Sequence, residues 1–243
     1  MIGDIDTPCV DVGTSRADTA DPVPHPRELG WVREPQQTRS ARTRAQLLDA
    51  TAALLDEEGL ESLTIAKVAK STGCAVGTLY HHFQDKQTIV RALIVRFSNE
   101  MRLTAREILK PGRWEHIGLM GVIESYVRFT LELYRRFPGT LKAQQMLMQH
   151  DQEVSEHYEA AADEAYALLV ALLRPRLREI THPQPDMAIE MILAMVKAVL
   201  VARASGLLPR AIDSYTDDDE EQFVEELMRM AAAYLGADAR PDV

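Results

Sequence analysis

Thr78, Tyr80, His81 and His82 crowd into five residues, and Lys86 follows four positions later. Hydroxyl, phenol, imidazole and ammonium groups at this density donate hydrogen bonds to phosphate oxygens and meet base edges in a groove. Leu79 and Phe83, four apart, share a different face of the same short segment and are expected to pack inward, leaving the polar groups outside. Thr64 and Lys67 lie one element earlier. Arg39, Arg42 and Arg44 form a basic arm ahead of the first helix, suited to phosphates or a minor groove. The chemistry these groups offer is the binding of a polyanion rather than turnover. No Gly-rich phosphate loop, nucleophile–base pair or closed set of metal ligands accompanies them, so neither an enzyme nor a resident cofactor is expected.

The elements that must position these groups are helices. Periodicity begins near Ser40, and Leu47, Leu48, Ala50, Thr51, Leu54 and Leu55 make an apolar stripe up to Gly59, a helix-ending residue. Thr64 is placed to cap a second helix with Ile65, Val68 and Ala69 on its apolar face. Gly73 supplies the positive φ of a sharp turn, and a third helix spans about Val76 to Phe83. Asp85 caps a long fourth helix that runs to about Leu109 and stops at Pro111-Gly112. This order of parts is a helix-turn-helix, in which the second helix of the pair enters the major groove.

Further helical segments are expected from Trp114 to Phe137, Thr140 to His150, Asp151 to Leu173, Asp186 to Ser205 and Asp219 to Leu235. No alternating strand and no internal repeat appears. The fold class expected is all-α: an N-terminal three-helix helix-turn-helix DNA-binding domain at 38–90, then a larger helical domain at 91–243, to which the family resemblance given below assigns ligand binding and dimerisation. Residues 1–37, rich in Asp and Pro, read as a disordered tail.

The net charge of −10 over 243 residues runs against binding of a polyanion until it is divided along the chain. Residues 33–96 carry nine Lys/Arg against seven Asp/Glu and are the only basic stretch, at +2; residues 1–32 stand at −4 and 97–243 at −8. Local charge decides what a surface attracts. The two cysteines, Cys9 and Cys74, do not make a disulfide framework. No apolar run has the length of a membrane span and the N-terminus lacks a secretory signal, so a cytoplasmic protein without membrane contact is expected.

The pattern Gly73…Gly77-Thr78-Leu79-Tyr80-x-x-Phe83-x-x-Lys86 closely resembles the signature of TetR-family transcriptional regulators, with the likeness extending from about Arg42 to Val90. The resemblance implies that Thr64 binds phosphate at a helix start and that Thr78, Tyr80 and Lys86 are recognition-helix and phosphate contacts. His81 and His82 would lie on the same surface, and Lys67, Val76 and Gly77 complete the expected DNA-facing set. Two departures stand out. Ala75 replaces a frequent Ser cap at a cost of about 1 kcal/mol of helix stability, and Val76 and Ala66 bring no hydrogen bond to positions that often read bases. Val76 can still touch a thymine methyl.

In the C-terminal half, two apolar stripes cover most of the segment from Trp114 to Phe137, with Glu124 and Arg128 between them; such a helix belongs inside its domain. Glu124 and Arg128, four apart, either pair with each other or line an effector cavity. Nine of the ten methionines lie in this half, and flexible thioethers suit both ordinary cores and adaptable cavities. The resemblance implies a small-molecule effector here, expected to be apolar, with Met120, Glu124, Tyr126, Val127, Arg128, Met146 and Tyr166 as its contacts. His150, Glu153 and His157 with Asp151 have metal-ligand spacing but sit in a charged run, and a solvated face is expected instead. The segments near 186–205 and 219–235 either close the monomer core or, as the resemblance implies, form a four-helix bundle with a second subunit. The function expected is a ligand-responsive repressor released from a palindromic double-stranded DNA operator. The alternative is an architectural or partner-binding DNA protein that uses the motif without an effector.

Overall fold

The computed structural model describes residues 39–209 and 220–237, so the expected tail at 1–37 lies outside the described residues. Nine α-helices are described, with two short 3₁₀ segments and no strand among the described residues. α1 spans Arg39–Ser62, α2 Ile65–Thr72, α3 Val76–His82 and α4 Lys86–Ile108. α5 spans Leu119–Arg136, α6 Pro138–Met148, α7 Gln152–Leu173, α8 Pro185–Ala204 and α9 Glu220–Leu235. No helix among them is long and apolar enough to cross a membrane.

The apolar stripe of α1 closes a first core with α2, α3 and the start of α4: Leu47, Leu55, Leu63, Val68, Leu79 and Ile94 are all buried in it. Two residues from farther along, Ala143 of α6 and Val154 of α7, complete this cluster. A second core joins α5, α7, α8 and α9 around Ile123, Leu173, Ile192 and Ala231. The boundary expected at 90/91 falls inside α4, which runs continuously through both regions. As expected, α1 breaks at Gly59, where φ is 78°, although a short helical turn continues to Ser62.

One helix begins later than its periodicity suggests. Residues 114–118 are not α-helical, and α5 starts at Leu119. Trp114 is buried, its indole Nε1 donating to the Ile108 carbonyl at 2.8 Å, which holds the chain in an irregular turn. Arg176 then clamps that turn by donating to the carbonyls of Trp114, Ile117 and Leu172. The first amide of α5, Leu119 N, donates to Glu179 Oε2 at 2.7 Å, so a carboxylate from sixty residues away caps the helix.

The opposite correction applies to α6. Pro138-Gly139 opens this helix rather than separating two segments, because a proline at the first helical position loses no hydrogen bond. Here too the cap comes from elsewhere: Thr140 N donates to Asp56 Oδ1 of α1 at 2.8 Å. Burial raises the Asp56 carboxyl above its usual range, partly offset by that hydrogen bond. A raised folded-state pKa contributes stability that is present in acid and lost as pH rises through the raised value. Asp56→Asn keeps the acceptor and removes the titration. We expect urea midpoints for this variant that gain on the wild type between acid and neutral pH; parallel profiles would show that Asp56 is not the titrating group.

Candidate DNA-recognition site

α2 and α3 owe their placement to local chemistry. Thr64 has extended backbone, and its Oγ1 accepts from Lys67 N at 3.2 Å to cap α2. Gly73 closes α2 in the left-handed region with φ 68°, and the next amide, Cys74 N, bonds the Ala69 carbonyl at 3.1 Å. α3 follows at once. Its N-cap Ala75 makes no side-chain bond, leaving the helix start to backbone bonds such as Thr78 N to Ala75 O at 2.9 Å. Asp85 caps α4 through Thr88 N at 2.7 Å and Thr88 Oγ1 at 2.8 Å, and these bonds hold its carboxyl below the usual range.

The two faces of α3 separate cleanly. Leu79 and Phe83 are buried, whereas Val76, Gly77, Tyr80 and His81 are exposed, Tyr80 at 56% and Val76 at 44%. Thr78 and His82 are half-buried at the flanks, with the His81 and His82 rings edge-on at 5.3 Å. An exposed valine and tyrosine on a seven-residue helix form a surface that water wets poorly and a base-edge surface accommodates well.

The cations around this surface are arranged less freely than their positions in the sequence suggest. Arg42 is exposed on α1, and Arg44 stacks over the Phe83 ring at 5.6 Å, which fixes its charge beside the end of α3. Arg39 opens α1, and its side chain lies outside the described residues. Lys67 is exposed but paired with Glu58. Lys86 is half-buried, and its Nζ donates to the Leu60 carbonyl at 2.6 Å, tying the start of α4 to the end of α1. Thr64, besides capping α2, stays exposed.

The residues expected around an effector do not share one surface. Met120 and Val127 are in the second core, while Met146 and Tyr166 are exposed on α6 and α7. Arg128 donates to Glu124 at 2.8 Å and also to Glu221 of α9, so the pairing alternative is present and extended to a third partner. That carboxylate pair raises the Arg128 pKa, and Arg128 lowers that of Glu221. Tyr126 is largely covered, and burial pushes its phenol up to about 12. Two open clefts flank α7: one of about 430 Å³ beside Glu115, His116 and Arg178, and one of about 620 Å³ beside Tyr166, Val170 and Arg174.

The residues of metal-ligand spacing are otherwise engaged. Asp151 caps α7 and pairs with Arg91 at 2.6 Å, and His157 Nδ1 lies 2.8 Å from the Glu153 carbonyl. Among the described residues no cluster of His, Cys, Asp and Glu could hold a metal ion. Asp56 was missed as a positioning residue. In the run Leu-Leu-Asp-Glu-Glu-Gly it looks like one more solvated acid, and only the docking of α6 reveals its partner.

The family pattern described as bacterial regulatory proteins, tetR family, matches residues 47–93, the segment that builds this surface. The transcriptional repressor KstR2 of Rhodococcus jostii (strain RHA1) is 36% identical over 69 residues, 28% of this chain and 34% of that protein. The transcriptional regulator UidR of Escherichia coli (strain K12) is 35% identical over 98 residues, 40% of this chain and 48% of its own length. These alignments span about a third to a half of the relatives' length. Beyond them the likeness is one of fold: a TetR transcription regulator from Haloarcula marismortui ATCC 43049 superposes with a TM-score of 0.57 at 14% identity, covering 81% of this chain and 97% of that one. Residues 47–93 thus match the helix-turn-helix segment of the tetR family of bacterial regulatory proteins, and the all-α fold is similar to that of a solved TetR regulator.

Proposed function

We propose that the protein is a ligand-responsive transcriptional repressor that binds a palindromic operator as a homodimer and releases it on binding a small molecule. The observation that carries this reading is the α3 surface: Val76, Gly77, Tyr80 and His81 stand outside while Leu79 and Phe83 anchor the helix beneath them. Thr64, Thr78, His82, Lys67 and Lys86 flank that surface, with Arg42 and Arg44 on α1 and Arg39 at its start. Lys86 and Lys67 act mainly by bracing the motif, so phosphate attraction falls more heavily on the arginines.

A second copy fits the exposed face of the last two helices. Met187 and Met191 of α8 and Met230 of α9 remain open to solvent, and Ala194 and Ala198 continue the same stripe along α8. Apolar exposure of this kind marks an association surface. A two-fold dimer also presents two α3 helices to successive major grooves, as a short reader requires. Of the relatives, KstR2 bears the name of a repressor, which supports that sign of regulation. An architectural DNA protein without an effector is the competing reading, and a polar layer within the C-terminal half, described below, weighs against it.

Footprinting and anisotropy with the DNA flanking its own gene test the proposal. The expected result is protection of a two-fold symmetric site by a dimer, with log affinity falling linearly against log salt. Binding that a scrambled duplex matches at every salt concentration would remove operator recognition from the reading.

A further inference from the structure

α4 carries a layer of polar groups that are buried without hydrogen-bond partners. On α4, Ser98 is 2% exposed and its Oγ has no hydrogen-bond partner. Arg102 stands one turn later on the same face, with a buried Nε that is also unpartnered. Arg91–Asp151 and Arg106–Glu164 align α4 and α7 in parallel, which sets the Ser98–Arg102 turn at the level of Tyr158 to Ala161. Burial raises the phenol pKa of Tyr126 and Tyr134 on α5, and Tyr158 of α7 adds to both shifts. At the start of α6, Thr140 is fully buried against Asp56 of α1, whose carboxyl its amide and side chain both help to hold down. Buried donors without acceptors cost a protein their lost hydration unless something arrives to receive them.

We propose that this layer is the effector site, and that the effector is an amphipathic organic anion whose apolar or aromatic body lies among the Tyr126, Tyr134 and Tyr158 rings and whose single acid group is received by Arg102 and Ser98. The proposal rests on the reading that this chain responds to a small molecule, and adds the chemical class and the residues. The charge of Arg102 sets the sign. Arg106, one turn on, holds Glu164 through two hydrogen bonds, whereas Arg102 makes no ion pair among the described residues and only helps to lower the pKa of that carboxyl. A guanidinium is always protonated, and its planar donors match a carboxylate or sulfonate. A ligand here also touches the elements that carry α3. α4 runs from this layer into the recognition domain, and the backbone amide of Thr140 is held by Asp56 of α1.

The test uses two fluorescent probes with the same aromatic body, the anionic 1-anilinonaphthalene-8-sulfonate and its neutral parent N-phenyl-1-naphthylamine. Both are titrated into the full-length protein. The expected result is saturable binding of both, with the anion favoured on the order of tenfold. Arg102→Met should abolish that preference while leaving the neutral probe's affinity unchanged. Arg106→Met, at the cation already paired with Glu164, should preserve it. Thermal unfolding of each variant confirms that it folds. If both probes bind but Arg102→Met leaves the preference intact, the anion site is overturned and a small-molecule effector remains. If neither probe binds, the effector reading falls with it.

Discussion

Replacing Gly139 with alanine is expected to lower the unfolding free energy by about 1–3 kcal/mol, the usual cost of forcing an atom into a packed contact. A Cβ at Gly139 would collide with the Leu55 carbonyl and stand 2.7 Å from Asp56 N. Both obstacles are backbone, which cannot swing aside as a side chain can. The only relief is for α6 to move off α1, and that motion breaks the Thr140–Asp56 bond as well. The variant should therefore also bind operator DNA more weakly, since α1 is the platform on which α2 and α3 rest. Urea unfolding and operator titration of one preparation separate the two effects. Wild-type stability together with wild-type affinity would mean that α6 does not set the position of α1.

Gly77→Asp should do the reverse to stability and more to binding. Gly77 is exposed in the first turn of α3, and a Cβ there meets nothing within 4 Å, so nothing inside the protein demands a glycine. An aspartate near a helix N-terminus stabilises it by about 0.3–1 kcal/mol through the helix dipole, and the melting temperature should hold or rise. The same carboxylate would face phosphate if α3 enters the groove. Affinity for operator should then fall by about 1–3 kcal/mol, roughly five- to 150-fold. A stable variant with undiminished affinity would remove α3 from the interface.

Much of the α3 surface was legible from residue order because its determinants are local. Thr64, Gly73 and Asp85 act on amides within one or two turns of themselves, and the four-residue spacing of Leu79 and Phe83 dictates which face turns inward. What was not legible depends on partners that are distant in the chain. Lys86 was expected at phosphate, yet its ammonium also meets the Leu60 carbonyl, an acceptor twenty-six residues away. Glu124 and Arg128 could be matched with each other by spacing, but Glu221 enters only when α9 packs beside α5.

By itself, then, the sequence determined that the described residues are helical, where α3 lies and which side chains that helix turns outward. Helix periodicity and capping are short-range properties, carried by each segment wherever it is placed. Tertiary structure alone decided where α5 begins, since Glu179 and Arg176 hold the preceding turn from about sixty residues away. It alone placed Asp56 on the first turn of α6 and left Ser98 Oγ and Arg102 Nε buried without partners. A hydrogen bond, or the lack of one, is a relation between groups in space, and only packing decides which groups meet.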